Sequence, residues 1–91
     1  MAYRRIHTFV SGRVQGVGYR YSTRDRALQL GLTGWVKNLP DGRVEAVFEG
    51  EEPLLQTMLQ WCHQGPSGSI VKDVEVYDEP LEGLQSFEIR R

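Results

Sequence analysis

Three glycines fall within seven residues in Gly12-Arg13-Val14-Gln15-Gly16-Val17-Gly18. On one side of this run, Arg5 to Ser11 alternates like a strand, with Ile6, Thr8 and Val10 on one face. On the other side, from Tyr19 or Arg20 to Leu30, Thr23, Ala27 and Leu30 recur at helical spacing, and Gly31 stands where a glycine ends a helix. So many glycines are costly inside a regular element and favoured where the backbone must take positive φ or approach another group closely. The stretch therefore reads as a loop from Gly12 to Gly18 that turns a strand directly into a helix. A fold with this opening must place a helix N-terminus beside the end of its first strand.

The rest of the chain supplies partners for that unit. Leu32 to Asn38 and Arg43 to Glu49 read as strands, the second with Val44, Ala46 and Phe48 alternating against Glu45 and Glu49. Leu39-Pro40-Asp41-Gly42 between them is a hairpin turn. A second helix is predicted from about Pro53, with Glu51 and Glu52 complementing its positive end and Leu55, Met58, Leu59 and Cys62 as its buried stripe. Gly65-Pro66-Ser67-Gly68-Ser69 breaks the chain; Ile70 to Tyr77 reads as a strand with Val74 and Val76 on one face, and a short last strand carries Phe87 and Ile89. The order βαββαβ plus a short C-terminal strand predicts an α+β, ferredoxin-like sandwich with two helices on one face of a mainly antiparallel sheet.

At 91 residues the chain supports one core, so residues 1–91 are read as one domain. The single cysteine, Cys62, excludes an internal disulfide and a cysteine-based zinc site. No stretch approaches the roughly 20 apolar residues that span a bilayer, and the start lacks the apolar segment of a signal peptide. A cytoplasmic protein without membrane attachment is expected.

Net charge is −1, which argues against a general nucleic-acid binder, but the charges are unevenly placed. Up to Asn38 there are seven Lys and Arg against the single acid Asp25; from Leu39 on there are four against eleven acids. A site in the first part would suit an anion. Alternatively, folding interleaves the two parts in space and the surface charge is solvated.

The glycine loop carries the strongest chemical signal. Successive backbone N–H groups at a helix N-terminus can converge on one anion, and the helix dipole adds to their field. Arg20 at the junction could add a guanidinium fork to the same oxygens. Nucleotide fingerprints are absent: no third glycine follows Gly16-Val17-Gly18 at dinucleotide spacing, and there is no Gly-Lys-Ser/Thr. Asn38, ending the second strand, can donate and accept and so could hold a water for attack; it could equally be a turn-initiating asparagine. Cys62 and His63 are adjacent on a helix and point about 100° apart, so they do not form a nucleophile–base pair, and Cys62 reads as core. His7 and His63 lack metal-ligand spacing, so no metal is expected. Trp35 reads as a residue packed on or lying over the sheet surface.

Gly12-Arg13-Val14-Gln15-Gly16-Val17-Gly18-Tyr19-Arg20, followed by Gly34-Trp35-Val36-Lys37-Asn38-Leu39-Pro40-Asp41-Gly42-Arg43-Val44, resembles the paired signature of the acylphosphatases. Phe48-Glu49-Gly50 and the second helix continue the likeness over essentially the whole chain. The resemblance implies a free-standing, cofactor-free and metal-independent enzyme that hydrolyses the carboxyl-phosphate bond of a small acyl phosphate to a carboxylate and inorganic phosphate. It further implies that the amides of Gln15, Gly16, Val17, Gly18, Tyr19 and Arg20 cradle the phosphoryl group, that the Arg20 side chain binds its oxygens, and that Asn38 positions the attacking water. Tyr19 stands where Phe is frequent, Gly18 fills a variable position, and Leu39 stands where several relatives carry Thr and so supplies no hydroxyl.

The alternative is a noncatalytic ferredoxin-like module binding an anion or RNA, since RNA-recognition domains share the topology and stack bases on sheet aromatics. Against RNA, the glycine–aromatic run lies in the first loop and helix, and the third strand carries Glu45 and Glu49. A monomer without nucleic-acid or membrane partners is expected.

Overall fold

The computed structural model describes residues 2–91. The chain forms β1 (Tyr3–Arg13), α1 (Tyr19–Gln29), β2 (Thr33–Asn38), β3 (Val44–Glu51), α2 (Glu52–Gln64), β4 (Ile70–Glu79) and β5 (Phe87–Ile89). The five strands make one sheet in the order β4-β1-β3-β2-β5. All pairings are antiparallel except that of β2 with β5. This is the predicted ferredoxin-like arrangement, with the C-terminal strand added beside β2.

Alternation decides which face is covered. Ile6 and Val10 of β1, Val36 of β2 and Val44, Ala46 and Phe48 of β3 pack with Tyr19 and Ala27 of α1 and Leu55, Met58 and Cys62 of α2 in one core. The pattern read from Thr23, Ala27 and Leu30 holds, with Leu30 at the edge of that core. On the opposite face stand Arg5, His7 and Phe9, with Trp35, Val47 and Glu49.

The expected loop from Gly12 to Gly18 divides into two parts. Gly12 belongs to β1, which continues to Arg13 past a bulge at Ser11 and Gly12. Its φ is +120°, and a Cβ there would lie 2.1 Å from the Ile70 carbonyl oxygen. This glycine serves the close approach of β4, and only Gly16 and Gly18 serve the turn. The strand is longer than its alternation suggested because a bulge lets pairing resume beyond the break.

Candidate active site

The turn from β1 to α1 is anchored by its apolar residues and freed at its glycines. Val14 is buried and Val17 packs against the core, while Gly16 and Gly18 are exposed. The φ values of Gly16 and Gly18 are +75° and +79°, in the left-handed region that favours glycine. Gly18 is the N-cap of α1: its carbonyl accepts from Ser22 N–H at 3.0 Å, and no side chain caps the helix. Among the described residues, none of the backbone N–H groups from Gln15 to Arg20 donates a protein hydrogen bond of ordinary length and angle. Several such donors beside a helix N-terminus form an electropositive concavity suited to an anion.

A hollow of about 150 Å³ opens here, lined by Val14, Gly16, Gly18, Tyr19, Arg20, Tyr21 and Asn38. The two candidate residues Arg20 and Asn38 thus line one space with three of the glycine-loop residues; Gln15 and Val17 stand outside the lining. Larger hollows of about 290 and 340 Å³, one beside the helices and one beside Glu49 and the β4–β5 connection, contain none of the expected site residues.

Charge pairing separates Arg13 and Arg20 from the other bases of the first part. Arg4 pairs with Glu52 and Asp78, Arg5 with Glu49 and Glu79, and Lys37 with Glu45, each joining the basic first part of the chain to the acidic second. Arg24 pairs with Asp25, and Arg26 donates to Gln29. Folding therefore interleaves the two parts and pairs three of the seven first-part bases with acids of the second. Arg13 and Arg20 have no hydrogen-bond or ion-pair partner among the described residues. The Arg20 guanidinium lies 5.9 Å from the centre of the Tyr21 ring, which Arg24 approaches at 5.5 Å.

Asn38 ends β2 opposite Val44, on the core side of the sheet. Its Oδ1 is buried and accepts no hydrogen bond. A buried acceptor without a donor is destabilising by about 1–3 kcal/mol.

Two contacts were invisible in the sequence pattern. Gln15 Nε2 donates to the carbonyls of Leu39 at 2.8 Å and Arg43 at 3.0 Å, tying the loop to the hairpin after Asn38. Tyr19 is buried, and its hydroxyl donates to the Cys62 carbonyl at 2.7 Å, fastening the start of α1 to the end of α2. Burial, foremost, pushes the Tyr19 hydroxyl above its ordinary pKa.

The weaker candidates separate from the site. Cys62 is core, and its thiol is pushed up to about 12 by burial. His63 is exposed with Nδ1 3.0 Å from the Leu59 carbonyl. The His7 ring nitrogens lie 2.7 and 2.6 Å from Glu79 and Glu45 on the other face of the sheet. No group of three or more His, Cys, Asp or Glu side chains among the described residues is placed to hold a metal. Trp35 is only 8% exposed, with the Arg90 guanidinium 4.9 Å and the Lys37 ammonium 5.6 Å from its ring centre. A base-stacking platform needs open aromatic faces, whereas this one is covered by cations and flanked by Glu45, Glu49 and Glu79, which disfavours RNA.

The acylphosphatase family model matches residues 6–89. The chain belongs to the acylphosphatase family. It is 65% identical over 88 residues to an acylphosphatase of Trichormus variabilis, a match covering 96% of this chain and 86% of that one. Among solved structures, an acylphosphatase from Bacillus subtilis superposes with a TM-score of 0.95 at 42% identity, covering 97% of this chain and 99% of the other. An acylphosphatase from Coxiella burnetii gives 0.94 at 41% identity, with 97% and 93% covered. Within this acylphosphatase fold, Leu39 contributes its backbone: its N–H donates to the Arg43 carbonyl at 2.8 Å, and its own carbonyl accepts from Gly42 and Gln15.

Proposed function

We propose that this chain hydrolyses small acyl phosphates, with Arg20 and the Gln15–Arg20 amides binding the phosphoryl group and Asn38 orienting the attacking water. The observation that carries this reading is the shared hollow. Arg20, two glycines of the loop at a helix N-terminus and Asn38 line it together.

Phosphoryl transfer asks mainly for positioning and for stabilisation of charge on the equatorial oxygens. The amides and the Arg20 fork supply fixed donors for those oxygens. Asn38 Oδ1 accepts a hydrogen from water and holds its oxygen in line with phosphorus. A new P–O bond forms as the bond to the carboxylate oxygen breaks with its electron pair, releasing the carboxylate. Neutral asparagine is a poor base, so the water proton passes to a phosphoryl oxygen, and the products are a carboxylate and inorganic phosphate. The carboxylate is a good leaving group, which makes this modest assistance sufficient.

No residue of the chain is assigned to a metal or cofactor in this scheme, and we place the enzyme as a monomer in the cytoplasm. A lone buried thiol suits that compartment, and no described helix is long and apolar enough to cross a membrane.

Benzoyl phosphate hydrolysis by the purified chain, with chelator present, tests the reading. Arg20→Ala is expected to lose activity and phosphate inhibition together, whereas Asn38→Ala keeps phosphate inhibition and loses turnover. A folded wild-type chain without activity would return the fold to a noncatalytic anion-binding role, and a fully active Asn38→Ala would remove Asn38 from the mechanism.

A further inference from the structure

The phosphate loop and Asn38 come from separate parts of the chain, yet in-line attack requires them in fixed register. Val14 and Val17 anchor the loop to the core, whereas at Gly16 and Gly18 nothing lies within 4 Å of where a Cβ would be. Among the described residues, the side-chain hydrogen bonds from the Gly12–Gly18 stretch to the hairpin are the two made by Gln15. Their acceptors, the carbonyls of Leu39 and Arg43, face each other across the turn, where Leu39 N–H also donates to the Arg43 carbonyl. Leu39 follows Asn38, and Arg43 precedes Val44, the strand partner of Asn38. The carboxamide thus grips the backbone immediately beyond the Asn38–Val44 pair on both strands.

Resting on the acylphosphatase reading, we infer that the Gln15 side chain is a positioning residue that sets the distance between the phosphate loop and Asn38. It acts through the hairpin backbone and touches no reacting atom. The phosphate-binding groups lie on the loop and α1, on one side of this tie, and Asn38 lies on the other. Loosening the tie misplaces the water relative to phosphorus while leaving the anion donors together. Turnover is therefore affected more than phosphate affinity.

The nearly isosteric Gln15→Glu gives a readout that a merely structural role would not. A carboxylate facing two carbonyl oxygens repels them, but the protonated acid donates one O–H and restores half the tie. At neutral pH its kcat for benzoyl phosphate is expected to fall about 10- to 100-fold, the scale of a misplacement near 1 Å. In Gln15→Met, which adds no charge beside the anion site, inhibition by inorganic phosphate stays within a few-fold of wild type. As pH falls, kcat of Gln15→Glu relative to wild type rises, with a midpoint above the ordinary glutamate value of about 4.3. Gln15→Met, which fills similar space without a donor, shows the loss with no such recovery and serves equally if Gln15→Glu does not fold. Wild-type kcat in the folded variants, loss of phosphate inhibition in step with kcat in Gln15→Met, or matching pH profiles for Glu and Met would overturn the inference. A wild-type chain that does not hydrolyse benzoyl phosphate would instead overturn the underlying reading.

Discussion

Arg5 and Glu49 face each other across β1 and β3 as a buried ion pair, Nη1 to Oε2 3.2 Å, on the side of the sheet away from the helices. The Glu49 carboxylate, 3% exposed, also accepts the N–H groups of Glu82, Gly83 and Leu84 at 2.9, 3.1 and 2.9 Å. Gly83 has φ +80°, so this is a backbone nest around a left-handed glycine whose anion belongs to the same chain. The Gln15–Arg20 turn uses the same device, with glycines at +75° and +79°, and no carboxylate of the described residues is bonded to it. One nest holds the β4–β5 connection across the end of the sheet; the other is the one proposed to take the phosphoryl group.

Glu49→Gln should destabilise the fold by about 3 kcal/mol at pH 7, because it leaves the Arg5 charge buried without this partner. Burial alone would raise the Glu49 pKa, but the amides of Glu82 and Leu84, then Arg5, outweigh it and hold the carboxyl below its ordinary range. The stabilisation is therefore full above the unfolded-state value of about 4.3 and is lost as pH falls through the lower folded value. Urea unfolding across pH 2–7 checks this. The gap between wild type and Glu49→Gln narrows at the acid end, and a constant gap would exclude linkage through Glu49.

Arg20→Lys keeps the charge and loses the planar fork. Inhibition by inorganic phosphate should weaken about tenfold, corresponding to roughly 1.4 kcal/mol, with a larger fall in kcat/KM for benzoyl phosphate. Equal inhibition constants for the two proteins would show that a point charge suffices.

Two glycine substitutions separate conformational strain from collision. Gly18→Ala meets no atom within 4 Å and bears only the left-handed φ of +79°, so the fold should survive with a loss of about 1–2 kcal/mol. At Gly34 a Cβ would lie 1.8 Å from the Val47 carbonyl oxygen, in the sheet's own backbone, and Gly34→Ala should not accumulate folded. Thermal melts of the purified variants compare them directly; equal stabilities would contradict the close approach of β2 and β3.

What could be read from the chain was what depends on near neighbours. Glycine spacing marked the turn, alternation placed Ile6, Val10, Val44 and Phe48 in the core, and the paired motifs pointed to Arg20 and Asn38. What could not be read depends on distant partners. The acceptors of Gln15 lie 24 and 28 residues away, and that of Tyr19 lies 43 away. Gly12 looked like part of the turn because its reason, the Ile70 carbonyl, is a residue of β4. The excess of bases in the first part was legible, but only folding shows that Arg4, Arg5 and Lys37 are neutralised by distant acids and that Arg13 and Arg20 are left without a partner among the described residues.

Tyr19 and Cys62 should together give the fold a steep alkaline limit. Burial raises both groups, the thiol to about 12, with the phenol also above its ordinary range, so both stay protonated in the folded chain where the unfolded chain ionises. Their contribution is whole below the unfolded-state values of about 8.5 for cysteine and 10 for tyrosine. Above each, the unfolded state binds fewer protons, and stability falls by about 1.4 kcal/mol per pH unit for each group, until the folded group itself ionises. Tyr19→Phe removes the bond to the Cys62 carbonyl, which should cost about 1 kcal/mol at pH 7. The same variant should lose less stability than wild type between pH 10 and 11. Chemical unfolding at pH 7, 9, 10 and 11 measures both effects, and parallel curves for the two proteins would show that Tyr19 does not set the alkaline limit.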